Sequence, residues 1–161
     1  MELQEELKQQ AIKLGLCEQW QQEWGTPDLE QLCNKFIRGL DFCVKNDYPT
    51  LEYMDKHFKG KVERYGIYIN EESYSWCQKN VVINGDSNVT VQTDRQCDIT
   101  VRHNSVVHIE AYDNAFVYVS MHDNSRLVIN YKSHNARICV SLFSGTIDQP
   151  ELIDRVFNKK K

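Results

Sequence analysis

The stretch from Asp86 to Val140 decides the fold, because one six-residue pattern recurs along it. Each unit begins with Asn, Asp or Gln and a small residue, and two aliphatic residues then alternate with variable ones. Successive units begin about ten residues apart, and similarity at a fixed period is typical of repeat architectures. The units are Asp86-Ser87-Asn88-Val89-Thr90-Val91, Gln96-Cys97-Asp98-Ile99-Thr100-Val101, Asn104-Ser105-Val106-Val107-His108-Ile109, Asn114-Ala115-Phe116-Val117-Tyr118-Val119, Asn124-Ser125-Arg126-Leu127-Val128-Ile129 and Asn135-Ala136-Arg137-Ile138-Cys139-Val140.

Two folds can carry this pattern. The alternating aliphatic residues predict strands with one buried face, and the Asn or Asp at the start of a unit predicts a turn with left-handed backbone. In a parallel β-solenoid, each unit forms one strand and one corner, and equivalent residues stack in ladders. An antiparallel β-meander with a turn after every strand is the alternative. We favour the solenoid, because the hairpin-type pair Asn84-Gly85 lies outside the units.

Helical patterns precede the repeat. Residues 2–14 fit an amphipathic helix, and Thr26 is the expected N-cap of a second helix that runs to about Lys45. A solenoid exposes its apolar interior at its ends and therefore needs caps. We expect an α+β protein with a helical cap region at residues 1–75, a β-solenoid at 76–143, and a C-terminal cap or tail at 144–161 that includes a short helix at 150–157.

Charge and hydropathy exclude some partners. The net charge of −4 over 161 residues argues against a nucleic-acid binder that depends on a basic face. The N-terminal residues lack an apolar signal segment, and no apolar run is long enough to span a membrane. We therefore expect a cytoplasmic protein without a membrane partner.

The cysteines and histidines do not predict a metal site, and we expect no cofactor. None of the six cysteines belongs to a Cys-x-x-Cys pair, so free buried thiols are the expectation. Three histidines occupy or adjoin successive corners, which lie on opposite edges of a two-sheet coil and do not converge as zinc requires. The residues concerned are Cys17, Cys33, Cys43, Cys77, Cys97 and Cys139, with His103, His122 and His134 at corners and His108 within a unit.

One sheet face is a candidate interface. In a two-sheet solenoid alternate units fall on opposite sheets, so one outer face presents Phe116 and Tyr118 with arginines beside them. Aromatic residues and arginine are enriched at interface hot spots. The candidate interface residues are Phe116, Tyr118, Arg102 and Arg137, together with Val106 and His108 of the other sheet.

Segments within the first 68 residues, together with the Asn-Ser/Ala repeats, resemble a family of short uncharacterised proteins encoded in bacterial prophages and conjugative elements. The resemblance covers most of the chain and implies a mobile-element origin, but it brings no activity and no functional residues. The segments are Gly39-Leu40-Asp41-Phe42-Cys43, Asp47-Tyr48-Pro49-Thr50-Leu51-Glu52-Tyr53-Met54 and Phe58-Lys59-Gly60-Lys61-Val62-Glu63-Arg64-Tyr65-Gly66-Ile67-Tyr68.

The sequence favours binding over catalysis. A ten-residue unit does not fit the six-residue period of hexapeptide acyltransferases, and polysaccharide lyases use a longer groove than Asp98, Arg102 and Arg137 could line. Nucleophile-elbow, P-loop and dinucleotide motifs are absent from the sequence. We expect a non-enzymatic structural or protein-interaction module that associates with itself or with another protein through a solenoid face. The alternatives are a glycan-binding module that uses the aromatic face and an inhibitor of a host enzyme.

Overall fold

The computed structural model describes residues 2–77 and 79–160, and the chain divides into two compact units, residues 1–57 and 58–161. The first unit is helical, and the second holds the strands and two short 3₁₀ helices. The helices are α1 Leu3–Lys13, α2 Glu18–Glu23, α3 Leu29–Arg38, α4 Leu40–Asn46 and α5 Leu51–His57. The strands are β1 Ile67–Ile69, β2 Glu72–Trp76, β3 Asn80–Asn84, β4 Asn88–Thr93, β5 Gln96–Val101, β6 Val106–Ala111, β7 Phe116–Met121, β8 Arg126–Lys132, β9 Arg137–Leu142, β10 Thr146–Ile147 and β11 Arg155–Asn158.

The predicted second helix is present, but two of its details are wrong. Asp28, not Thr26, is the N-cap, because its carboxylate accepts the backbone N–H of Gln31 at 2.9 Å while the Gln31 side chain accepts the N–H of Asp28. The helix does not run unbroken to Lys45. It is interrupted at Gly39, whose backbone leaves the helical region, and α4 follows.

Hydrogen bonds from aromatic side chains tie the helical unit together. The hydroxyl of Tyr48 donates to the backbone oxygen of Leu7 at 2.7 Å, and the indole N–H of Trp24 donates to that of Gln4 at 3.2 Å. Both rings are buried, so their polar atoms need such partners. Among the described helices, none combines the length and the apolar character that crossing a membrane requires.

The strands form the predicted parallel β-solenoid, with about five turns. Sheet A has the order β1-β3-β5-β7-β9-β11 and sheet B the order β10-β8-β6-β4-β2, so the chain alternates between the two sheets at every strand. The antiparallel meander is wrong, because the strand pairs of both sheets are parallel. The sheets also extend beyond residues 76–143, since β1 and β2 precede that range and β10 and β11 follow it.

The aliphatic pairs of the repeat form the core between the sheets, as the alternation predicts. Each unit places its two aliphatic residues inward, and burial of each such side chain stabilises the fold by about 1.5–3 kcal/mol. The unit that begins at Gln96 is offset by two residues from the alignment predicted from the sequence, because Cys97 and Ile99, not Ile99 and Val101, pair with Val117 and Val119. The central ladders are Cys97, Val117, Ile138 and Ile99, Val119, Val140 in sheet A, with Val89, Val107, Leu127 and Val91, Ile109, Ile129 in sheet B.

The corners differ from the expectation by one residue. The left-handed backbone lies at His103, Asp113 and Asp123, each of which directly precedes the Asn of a unit. The Asn residues that start two of the units instead bond to each other along the stack, where the side chain of Asn124 donates to the amide oxygen of Asn104 at 3.2 Å. Left-handed geometry is tolerated by Asp and His as well as by Asn, so the residue type alone could not locate it.

The C-terminal segment is not the predicted helix at 150–157. A 3₁₀ turn covers Pro150–Leu152, and strand β11 then pairs with β9. The open edge of β9 offers backbone partners to this segment, as when Lys159 donates its N–H to the oxygen of Leu142 at 2.9 Å. Tertiary pairing therefore overrides the local helical pattern.

The expectation of free thiols is wrong for two cysteines. Cys77 and Cys97 form a disulfide, with Cα atoms 6.1 Å apart. They are separated by 20 residues, slightly more than one coil at this place, where Asn80 pairs with Asp98, and the fold brings both buried side chains together in the core. Cys17, Cys33, Cys43 and Cys139 are not part of a disulfide, and burial raises the pKa of Cys33 to about 11.

Candidate ligand-binding face

The predicted division of the units between the two sheets is confirmed, but the predicted aromatic face is less open than expected. On the outer side of sheet A, Phe116 is 44% exposed and lies in register with Arg137. Tyr118 is only half-exposed, and its hydroxyl bonds with that of Ser141. Phe116 and Arg137 are thus the exposed members of the predicted interface on this sheet.

Arg102 does not lie on that face. Strand β5 ends at Val101 and the chain turns at His103, so the outward alternation stops before Arg102, and its side chain is 2% exposed. Val106 and His108 lie on the outer face of sheet B. Five of the six predicted residues therefore lie on the predicted outer faces, three on sheet A and two on sheet B, and Arg102 is the exception.

The corner histidines have structural contacts. Nδ1 of His103 accepts the backbone N–H of Gly85 at 2.8 Å, and the ring of His122 stacks on Phe143 with centroids 4.6 Å apart. Within residues 2–77 and 79–160, no three side chains of His, Cys, Asp or Glu gather in a way that could hold a metal ion.

The outer face of sheet B carries a groove of about 480 Å³ that crosses four strands. We call it the sheet B groove. Tyr74, on the edge strand β2, is its one aromatic lining residue and is 78% exposed, while the other lining side chains are polar. Thr90 and His108 follow Tyr74 in register across the sheet. The lining residues are Glu72, Ser73, Tyr74, Asn88, Thr90, His108 and Asn130.

A row of three further aromatic side chains runs beside the groove; we call Trp76, Tyr112 and Tyr131 the aromatic row. The Tyr112 ring stacks on Tyr131, with centroids 5.1 Å apart, and on Trp76, with centroids 6.4 Å apart. Trp76 is 50% and Tyr131 48% exposed. Exposed aromatic groups concentrated on one face are typical of binding surfaces.

Hydrogen bonds fix the polar groups between the aromatic row and the groove. The Glu110 carboxylate accepts the Tyr112 hydroxyl at 2.6 Å and the amide of Gln92 at 3.1 Å, and these bonds hold the pKa of Glu110 below its ordinary value. Nδ1 of His108 lies 3.4 Å from the amide oxygen of Asn130. The face is therefore polar, acidic in character and ordered by contacts between neighbouring coils.

The sequence does not reveal this site, because its aromatic residues lie outside the recognised units. Tyr74 and Trp76 lie on β2, before the first recognised unit, in a coil that lacks the repeat pattern. Tyr131 reaches its position through a register shift after Ile109, which pairs Glu110 with Tyr131 instead of Asn130. A bulge cannot be located from alternation alone. The clustering of Tyr and Trp just outside the units was the available signal.

These features define the class of the protein: a short two-sheet parallel β-solenoid with a helical unit, and with a polar groove beside a row of aromatic side chains on one outer face. Comparisons with models of protein families, with curated proteins and with solved structures gave no match.

Proposed function

We propose that the protein is a non-catalytic glycan-binding module whose ligand is a neutral oligosaccharide held in the sheet B groove. The single observation that carries this proposal is the exposed ring of Tyr74 beside a polar floor built by four neighbouring strands. A sugar offers an apolar C–H face to a ring and hydroxyl groups around its rim, so it matches both parts of the groove.

The polar groups of the floor suit hydroxyl ligands. A sugar hydroxyl both donates and accepts hydrogen bonds, and so do the side chains of Asn88, Thr90 and Asn130. The Glu72 carboxylate lines the groove and Glu110 lies close by, so an anionic uronate or sulfated glycan would meet repulsion. A neutral sugar is therefore favoured over an anionic one.

The composition of the groove also favours binding over hydrolysis. Glycoside hydrolases use a pair of carboxyl groups on either side of the scissile bond. Among the described residues that line the groove, Glu72 is the only one with a carboxyl group, and Glu110 is held by Tyr112 and Gln92. The centre of a protein–protein interface is usually depleted of charged groups. The sheet B groove instead includes the carboxylate of Glu72 among polar side chains, which favours a sugar ligand over a protein partner.

The experiment is a calorimetric titration with neutral oligosaccharides of β-1,4-glucan, chitin, xylan and α-1,4-glucan, with a uronate oligomer as the charged comparison. We expect binding of at least one neutral oligomer and weaker binding of the uronate. Tyr74→Ala should weaken that binding about twofold to tenfold, because an aromatic contact contributes about 0.5–1.5 kcal/mol. The matched control is Phe116→Ala, which removes an exposed ring from the other sheet and should leave the affinity unchanged. Absence of binding across the panel, or equal losses in both variants, would contradict the proposal.

Self-association through the outer face of sheet A, the first prediction from the sequence, is the second candidate function. The exposure of Phe116 next to Arg137 favours it. Phe116→Asp places a charge in that contact while leaving the half-buried Tyr118 intact. A solution mass that Phe116→Asp does not change, measured by light scattering, would remove this candidate.

A further inference from the structure

The two ends of the aromatic row lie on one register line across sheet B. Trp76 of β2 pairs with Gln92 of β4, and Gln92 pairs with Glu110 of β6. Glu110 in turn pairs with Tyr131 of β8. The ring of Tyr112, whose hydroxyl donates to Glu110, stacks on both end rings. Because register partners stand side by side in neighbouring strands, the row runs across the strands and along the axis of the solenoid.

The floor of the sheet B groove follows a second line, parallel to the aromatic row. Tyr74 pairs with Thr90, and Thr90 pairs with His108. Each of these residues precedes a member of the first line by two positions on the same strand, so the two lines share the outer face and lie roughly 7 Å apart. The aromatic row is therefore a wall along one side of the groove.

A register shift in β8 supplies side chains to both lines at the far end of the groove. Ile109 pairs with Ile129 and Glu110 pairs with Tyr131, so Asn130 is an extra residue in β8. Consecutive residues of a regular strand face opposite sides, but Asn130 and Tyr131 are both exposed. Asn130 lines the groove, and Tyr131 ends the row. Bulges re-aim side chains beside functional sites, and this one joins the aromatic row to the groove.

The rings at both ends of the aromatic row are open to a ligand. Trp76 at the β2 end and Tyr131 at the β8 end are both about half-exposed, and Tyr74 beside Trp76 is more exposed still. A site for a terminal sugar would close around one end of the chain. Here a ligand can lie along the whole row and continue past both ends.

The spacing of the strands matches the repeat of an extended glycan. Neighbouring strands lie about 4.8 Å apart, so the groove offers contacts at this interval over about 14 Å from β2 to β8. The advance per sugar unit in an extended β-1,4-linked glycan is close to the same interval, so about three units cover the groove. An α-1,4-linked glucan curls into a helix and leaves a straight row after a short distance.

We infer that the ligand of the sheet B groove is an extended β-1,4-linked polysaccharide, bound along an internal segment of about three sugar units with its chain parallel to the solenoid axis. The aromatic row packs against the apolar C–H groups on one side of the chain, and hydroxyl groups bond with Asn88, Thr90 and Asn130 of the groove. This inference rests on the proposed function and adds the linkage of the ligand and the direction in which it lies.

The test is a calorimetric titration of the full chain with cello-oligosaccharides and chito-oligosaccharides of two to six units, with maltohexaose as the α-linked comparison. In at least one β-linked series, affinity should rise about tenfold from the disaccharide to the tetrasaccharide as further strands of the groove are contacted. It should then level off, because longer chains extend past the groove. Maltohexaose should bind about tenfold more weakly than the β-linked hexasaccharide.

Two tyrosine variants separate the ends of the groove. Tyr131 lies on β8 and Tyr74 on β2, with β6 and β4 between them. Tyr131→Ala should weaken binding of the hexasaccharide about twofold to tenfold and leave that of the disaccharide unchanged, because a short ligand stays at the Tyr74 end. Tyr74→Ala should weaken both. Tyr131→Phe keeps the ring and is the matched control that should bind the hexasaccharide as the wild type does.

Three results would overturn the inference while glycan binding itself stands. The first is equal affinity for the disaccharide and the hexasaccharide, and the second is binding of maltohexaose as tight as that of the β-linked hexasaccharide. The third is unchanged hexasaccharide binding in a Tyr131→Ala variant that circular dichroism shows to be folded; if the variant does not fold, the chain-length series of the wild type decides. Failure of every neutral oligosaccharide to bind would overturn both the inference and the proposed function.

Discussion

The side-chain oxygen of Gln149 accepts the backbone N–H of Ile129 at a distance of 2.7 Å. Strand β10 is short and pairs only with Arg126 and Leu127 of β8, so β8 has no neighbouring strand on that side at Ile129. A side chain thus takes the place of the next backbone acceptor. Asp154 acts in the same way on sheet A, where its carboxylate accepts the N–H of Ile138 at 2.8 Å.

Loss of the Gln149 acceptor should destabilise the C-terminal end of the solenoid. Gln149→Ala leaves the N–H of Ile129 without this partner in a partly buried place, at a cost of about 1–2 kcal/mol in the free energy of unfolding. Urea unfolding of the variant and the wild type measures the difference. Gln149→Glu keeps an oxygen in the same position and should lose less. If both variants lose the same amount, the hydrogen bond is not the cause.

Gly145 is required by its backbone conformation and by its surroundings. Its φ is +102°, and a Cβ at this position would lie 2.4 Å from the backbone oxygen of Ser125. Gly145→Ala should therefore cost about 2–4 kcal/mol, from left-handed strain and the steric clash together.

Gly60 provides a matched control for this substitution. Its φ is +82°, but no heavy atom outside its immediate chain neighbours lies within 4 Å of a Cβ built there. Gly60→Ala should cost only the backbone strain, about 1–2 kcal/mol. Thermal or urea unfolding of the two variants separates strain from crowding, and equal losses would show that the contact with Ser125 adds nothing.

The sequence could predict those parts of the fold that depend on periodicity. The spacing of Val89 and Val91, and of the matching pairs in later units, determines both the strand positions and the sheet on which each strand falls. Parallel stacking then follows from the turn chemistry. The alternating pattern does not show at which residue a strand ends. It therefore predicts a surface position for Arg102, which is buried just after the end of β5.

Contacts between residues in different coils could not be predicted from one sequence. The Cys77–Cys97 disulfide cannot be predicted without the length of the first coil, and that coil lacks the repeat pattern from which its length could be read. The row formed by Trp76, Tyr112 and Tyr131 depends on that same coil and on a register shift in β8. Residues in different coils can be matched only when the register of every coil is known, so the sequence does not predict the candidate groove.

Glu71 should make the solenoid unit less stable as the pH rises. Burial raises the pKa of Glu71 from 4.5 to about 7, and the hydrogen bond that the protonated Glu71 carboxyl group donates to the side chain of Glu63 acts in the same direction. The folded state therefore binds the proton more tightly than the unfolded state. The stabilising contribution of the protonated carboxyl group is fully present below pH 4.5 and is lost as the pH rises through about 7.

Unfolding midpoints at pH 5 and pH 8 test this assignment. Glu71→Gln keeps the oxygen that accepts the N–H of Ile69 and does not ionise, so the variant should lose part of the decrease seen in the wild type between the two pH values. Glu63→Gln removes the neighbouring carboxyl group and should reduce the decrease to a smaller extent. A wild type that is equally stable at both pH values would count against the raised pKa.

The Cys77–Cys97 disulfide should contribute measurably to stability. It closes a loop with a sequence separation of 20 residues, and a crosslink of that span restricts the unfolded chain by about 3 kcal/mol. The unfolding free energy of the oxidised protein should therefore exceed that of the protein in excess dithiothreitol by about this amount. A Cys77→Ala, Cys97→Ala double variant should be insensitive to the reductant.

Thiol labelling provides an independent check on the same pairing. In denaturant without reductant, the four cysteines outside the disulfide, Cys17, Cys33, Cys43 and Cys139, should react with iodoacetamide, while Cys77 and Cys97 should react only after reduction. Disulfides persist chiefly in oxidising compartments, so the labelling should be done on protein kept under air after purification. Modification of all six cysteines before reduction, or equal stability with and without dithiothreitol, would show that the two core sulfur atoms are not joined.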